Sequence, residues 1–173
     1  MPQTKQINYV EALKKALRDD VAVLMKVRGY SKHGNTFYKK YPYFTKIINI
    51  QKHSTGNRKD DATCTINIAI FIPTLDRRKQ DKNVPEYPKE YQCKKINYRI
   101  GQLIDRRQRV PGGDKWYSYN RKKLVHSTTM ELLRDLKQYA LPFLDAFSDK
   151  QNIMEFLKKN KRKYFKAMKK FKE

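Results

Sequence analysis

Cys64-Thr65-Ile66-Asn67-Ile68-Ala69-Ile70-Phe71-Ile72-Pro73 is the stretch on which the fold turns. Cys64, Ile66, Ile68, Ile70 and Ile72 alternate with Thr65, Asn67, Ala69 and Phe71. That is the two-residue period of an extended strand with one strongly apolar face. Pro73 closes the run. Before it, Asn35 to Tyr41 reads as a short aromatic-rich strand and Phe44 to His53 as a second, with Pro42 at the turn, so the two predict a hairpin. The polar segment Ser54 to Asp61, with Gly56 and Asn57 at its tip, reads as an exposed loop. After Pro73, Thr74 to Lys89 is charged and carries Pro85 and Pro88, the pattern of a long surface loop. Tyr91 to Ile104 resumes an extended pattern, with Gly101 marking a bulge or strand end, and Trp116 to Tyr119 reads as a short closing strand.

Helices flank these strands. Over residues 4–28, Ile7, Val10, Leu13, Leu17, Val21 and Leu24 recur at steps of three and four and share one helical face. Gly29 follows where a left-handed cap is easiest, and Tyr30 can pack back behind it. Thr128-Thr129-Met130-Glu131 has the form of a capping box, followed by an apolar stripe through Leu133, Leu136, Ala140 and Phe147 that Pro142 is expected to kink or break. Ser148 to Gln151 repeats the capping form ahead of Ile153, Phe156 and Leu157. The order helix, strands, helices predicts an α+β fold: an antiparallel sheet of four to five strands, with the N-terminal helix and C-terminal helices in a second layer. Residues 1–157 read as one domain and 158–173 as a basic amphipathic extension.

Composition bounds the partners. Of 173 residues, 40 are Lys or Arg and 17 are Asp or Glu, a formal net charge of +23. Residues 158–173 hold nine bases and one acid, so a basic globule would persist without them. Such a surface attracts densely anionic matter. Two cysteines do not make a disulfide framework, the polar start Met1 to Gln6 predicts no secretory signal, and no apolar run reaches the length of a membrane span, so a reducing cytoplasmic setting is expected. No phosphate-binding glycine loop, nucleophile elbow or zinc-ligand spacing is present, so neither a cofactor nor a metal is expected. Asp135-Leu136-Lys137 has the local form of a nuclease element, but it falls in a predicted helix with no acid partner in view. Enzymatic activity is left as a third and weaker reading, a hydrolase or nuclease on the sheet face that would rest on Arg99 and Gln51.

Several short stretches carry a resemblance: residues 29–38 (Gly-Tyr-Ser-Lys-His-Gly-Asn-Thr-Phe-Tyr), Ile48-Asn49-Ile50-Gln51-Lys52, Thr65 to Ile70, Tyr98-Arg99-Ile100-Gly101 and Asp114-Lys115-Trp116-Tyr117. In order and spacing the chain resembles, over roughly residues 20–120, the bacterial family called domain of unknown function 4304. The resemblance implies a small α+β protein without an established activity, of a kind sometimes suspected of neutralising toxins. The family pattern often has an acid before the position of Cys93 and a His after it. Gln92 and Lys94 stand there in this chain, which weakens any site built on them.

The candidate anion- or partner-binding residues are Lys32, His33, Gln51, Lys52, Arg99, Arg106, Arg107, Trp116 and Lys122. Arg99 and Gln51 fall mid-strand, where a polar side chain faces solvent, a cleft or a partner. With Lys52, His33 and Trp116 they would line an anion-binding groove, or else decorate a solvated sheet. Trp116, the single tryptophan, is either a stacking platform or a partly buried core residue. The clusters Arg77-Arg78-Lys79, Arg106-Arg107-Gln108-Arg109 and Arg121-Lys122-Lys123 suit phosphate oxygens, or a merely solvated surface. Cys64 is expected to pack with the isoleucines. Two partners fit this reading: nucleic acid held through its backbone, or an acidic protein bound by an immunity-type module.

Overall fold

The computed structural model describes residues 7–53, 59–76, 83–104 and 114–159. The chain opens with a helix in three parts: α1 (Tyr9–Ala16), a π-helical turn (Leu17–Val21) and α2 (Ala22–Val27). It starts later than the sequence pattern predicts, because Asn8 Oδ1 accepts from the N–H groups of Val10 and Glu11 and so caps it. The wide turn is marked by the Ala22 N–H reaching back five residues to the Leu17 carbonyl. One extra residue in a turn rotates everything after it. The buried face therefore runs Tyr9, Leu13, Ala16, Leu17, Val21 and Met25, while Leu24 is only partly covered and Ile7 is exposed. The helix ends as read: Gly29 has φ +78°, its N–H donates to the Lys26 carbonyl, and Tyr30 N–H donates to the Met25 carbonyl while its ring is buried.

Six strands form one antiparallel sheet: β1 (Ser31–His33), β2 (Thr36–Lys40), β3 (Thr45–Lys52), β4 (Asp61–Phe71), β5 (Ile96–Arg99) and β6 (Tyr117–Asn120). The order is β1-β2-β3-β4-β5, and β6 also pairs with β4. The predicted hairpin is β2–β3, closed by Tyr41 N–H donating to the Phe44 carbonyl. β1 was not predicted. It is three exposed residues long, and Gly34 at φ +60° turns it back onto β2. β4 is the central strand and pairs with β3 over eight positions.

The isoleucine face of β4 meets the helices. Ile48, Ile50, Cys64, Ile66, Ile68 and Ile70 pack with Leu13, Val21 and Met25 and with the C-terminal helices. Cys64 lies fully buried there, as the alternation predicts. The other face is not bare: Tyr38, Ile47, Ala69 and Phe71 form a second cluster with Cys93, and Tyr87 packs on it. The segment that supplies the last two residues contains a 3-10 turn (Glu90–Gln92) and follows a short helix, α3 (Pro73–Asp76). Asp76 fastens that segment, accepting from Ile72 N–H at 2.7 Å and Lys94 N–H at 2.9 Å. Burial pushes its carboxyl above the ordinary value, and those two hydrogen bonds oppose the shift.

Residues 91–104 are less extended than predicted. Only Ile96–Arg99 is strand, and α4 (Ile100–Leu103) follows at once, because Gln102 Oε1 turns back to accept from Arg99 N–H at 2.7 Å. The C-terminal helices are α5 (Val125–Asp135), a π-helical turn (Leu136–Ala140), α6 (Leu141–Asp145) and α7 (Lys150–Lys159). The capping box at Thr128 is not formed: α5 begins at Val125, and the Thr128 hydroxyl donates instead to the Ser118 carbonyl of β6. Pro142 does not break the helix. The π turn just before it has already moved the hydrogen-bond ladder, and the Leu141 N–H reaches Leu136. At α7 the cap is Asp149, whose Oδ1 accepts from Asn152 N–H, rather than Ser148 with Gln151.

Candidate functional site

One edge of β4 is shared by two short strands. Asn67 to Ile70 pair with β5, and Asp61 to Cys64 pair with β6. Thr65 and Ile66 fall between the two ladders. The Thr65 hydroxyl donates to the Lys115 carbonyl at 2.7 Å, and Arg99 Nη1 meets Asp114 Oδ2 at 2.6 Å, so side chains close a gap that backbone pairing leaves open.

A row of polar residues runs to this gap. His33, Thr36, Asn49, Asn67 and Arg99 are Cα partners from strand to strand across β1 to β5. Direct partners share a sheet face, and here it is the face away from the helices. Asn49 Nδ2 donates to Thr36 Oγ1 at 2.8 Å. Asn67 Nδ2 donates to Asn49 Oδ1 at 3.2 Å and to Gln51 Oε1 at 2.9 Å. Asn67 is 5% exposed, so these bonds satisfy an amide that would otherwise be costly to bury. They also fix the Gln51 amide oxygen to the row.

Trp116 stands over this region, half-buried and outside the main core. Of the two readings of Trp116, partial burial is seen without membership of the isoleucine core, since its neighbour Arg99 is on the sheet face opposite the helices. The Arg99 guanidinium carbon lies 6.0 Å from the Trp116 ring centroid, and the His53 and Trp116 rings meet edge to face with centroids 5.3 Å apart. His53, Asp61, Thr63 and Trp116 line an open cleft of about 370 Å³.

The structure thus brings together Gln51, Arg99 and Trp116 and adds Asn67, His53, Thr63 and Asp61 to them. It does not bring Lys52, Lys32, His33 or Lys122 to the same place. Lys52 is the partner of Cys64, and so belongs to the helix-covered face. Lys32 pairs with Phe37 and alternates away from His33. His33 is at the far end of the polar row, four strand spacings or roughly 19 Å from Arg99, where it stacks on Tyr87 at 4.2 Å. Lys122 is in the turn after β6, its N–H donating to Asn120 Oδ1. Arg106, Arg107 and the cluster at 77–79 lie outside the described residues.

A second polar group underlies β6. Asp135, fully buried, accepts from Lys115 Nζ at 2.5 Å and from the Tyr117 hydroxyl at 2.7 Å. Lys115 also contacts Glu131 at 2.9 Å, and Lys123 pairs with Glu131. Asp135 therefore does have an acid neighbour, one helical turn away. The signal was the four-residue spacing of Glu131 and Asp135. Burial pushes the Glu131 carboxyl up, but hydrogen bonds from Lys115 and Lys123 outweigh it and hold the group below its ordinary value. Burial, then the Asp135 charge, pushes the Tyr117 hydroxyl far above the usual phenol range. These partners are mutually satisfied, which makes the group a fastening between β6 and α5.

The cations are not neutralised by such pairs. The described residues contain 24 Lys and Arg against 14 Asp and Glu. Among the described residues no three His, Cys, Asp or Glu side chains are placed to hold a metal ion. Cys64 and Cys93 belong to separate apolar clusters on opposite sheet faces. Burial pushes the Cys64 thiol up to about 12 and raises Cys93 as well.

No helix among the described residues is long and apolar enough to cross a membrane. No curated protein and no solved structure matches the chain. A family model described as a domain of unknown function, DUF4304, matches residues 21–146, a span holding the polar row, the split edge and the cleft. The chain belongs to the DUF4304 family.

Proposed function

We propose that this protein is a non-enzymatic binding module for an anionic partner, and that the partner is nucleic acid held mainly through its backbone. One observation carries the reading. In a chain of net charge +23, a continuous polar row crosses the helix-free face of the sheet and ends at Arg99 beside the lone tryptophan. Guanidinium donors suit phosphate oxygens, and a half-buried indole offers a flat face to a base. Among the described residues the Arg99 guanidinium makes one hydrogen bond, to Asp114, which uses one of its five donors. The setting proposed is reducing and cytoplasmic, in keeping with two free cysteines.

The test is purification at low and high salt with absorbance read at 260 and 280 nm. Nucleic acid that co-purifies at low salt and is stripped by high salt is the expected result. A stoichiometric acidic protein that stays bound after nuclease treatment would replace this reading with that of a protein-interaction module.

A further inference from the structure

We infer that the cleft formed by His53, Asp61, Thr63 and Trp116 takes one unstacked base of a single-stranded nucleic acid, and that it favours guanine. This rests on the nucleic-acid reading above and names what the site would recognise.

The walls argue for a flat, aromatic occupant. Trp116 and His53 meet edge to face at 67°, so they form a corner rather than a closed stack, and the corner opens to solvent. Thr63, on β4, is the fourth lining residue, and its carbonyl accepts from His53 N–H, which ties the two together. A base in a duplex has both faces covered by its neighbours and cannot enter such a corner. An unpaired base can, and stacking on an aromatic side chain favours it.

The chemistry of the rim argues for guanine. Asp61 is exposed at the first position of β4 and lines the cleft. In a chain this rich in cations, no ion-pair partner is found for it among the described residues. An ionised carboxylate only accepts hydrogen bonds. Guanine presents N1–H and the N2 amino group side by side, two donors for two oxygens. The single N3–H of thymine or uracil is flanked by carbonyl oxygens that repel a carboxylate. A negative rim also disfavours a phosphate at this point. The cleft would therefore take the base while Arg99, beside Trp116, takes the backbone.

Trp116 makes the test direct, since no other tryptophan emits. Four labelled DNAs are titrated at low salt: a thymidine nonamer, the same nonamer with one central guanine, one with a central adenine, and a duplex hairpin. Fluorescence polarisation reads binding, and quenching of Trp116 reads entry of a base. The expected result is quenching by the single strands and not by the hairpin. The guanine nonamer should bind about fivefold or more tighter than the thymidine one, the lower end of what a carboxylate–base pair discriminates. Asp61→Ala, at an exposed strand end, should erase that preference by lowering guanine binding, while thymidine binding, freed of the carboxylate's repulsion, should stay level or tighten. Salt-sensitive binding with no quenching, equal quenching by the hairpin, or no guanine preference would overturn this inference and leave the backbone-binding proposal standing. No binding of any of the four DNAs would overturn both.

Discussion

Arg99 and Asp114 join the two halves of a divided sheet edge: Nη1 of the last residue of β5 lies 2.6 Å from Oδ2 of a residue three positions before β6. Each side chain is a little over a third exposed. The pair is a tether, and it also holds back a guanidinium that the proposed partner would use.

Asp114→Ala is therefore expected to tighten nucleic-acid binding several-fold at low salt. The dependence on salt should steepen by about one phosphate contact. Solvent-exposed pairs contribute little, so stability should change by no more than about 1 kcal/mol. Fluorescence polarisation and urea unfolding read the two effects separately. Weaker binding in the variant would mean that Asp114 positions Arg99 rather than restrains it.

Asn67 donates to both Asn49 and Gln51 from a nearly closed position. Asn67→Ala strands two acceptors and is expected to cost about 1–3 kcal/mol in urea unfolding. Gln51→Ala removes an acceptor at a half-buried site and should cost less. Equal costs would mean that the ladder does not act through Asn67.

Asp135 sits at zero exposure between Lys115, Tyr117 and Arg134. Asp135→Ala leaves the Lys115 ammonium without its buried partner and is expected to destabilise by about 3–5 kcal/mol. Asp19→Ala, which breaks a pair on an exposed helix surface, should leave the unfolding midpoint where it was.

Glu131 sets a pH dependence. Its carboxyl is held below its ordinary value in the folded protein, so as pH falls the unfolded chain takes up the proton first. The stabilisation is complete above the ordinary glutamate value of about 4.3 and is lost as pH drops through the lower folded value. Urea midpoints measured between pH 6 and 3 should fall less steeply in Glu131→Gln than in the parent. Parallel curves would mean that Lys115 and Lys123 do not hold that carboxylate.

The alternation of Cys64 to Ile72 made the central strand and its buried face legible, and Gly29 marked a helix end that the φ of +78° bears out. The two π-helical turns were not legible. Their signature is a slip of one residue in an otherwise regular apolar pattern, and Leu24 beside Met25 allows either register. β1 is too short and too exposed to show a period. In the candidate site, Gln51, Arg99 and Trp116 could be singled out from sequence because polar or aromatic residues in apolar strands stand out. Asn67 was visible in the sequence, but its role depends on strand register, which pairs it with Asn49 and Arg99 from 18 and 32 residues away. Lys52 was misplaced for the converse reason. It follows Gln51 directly, and neighbours along a strand face opposite ways.

The central claim is that this protein binds nucleic acid through its phosphates, and the salt dependence of that binding tests it most directly. A labelled single strand titrated by fluorescence polarisation between 50 and 200 mM salt should lose roughly a thousandfold in affinity if about six phosphates are contacted. An affinity that stays flat across that range, or no binding at 50 mM, would contradict the account.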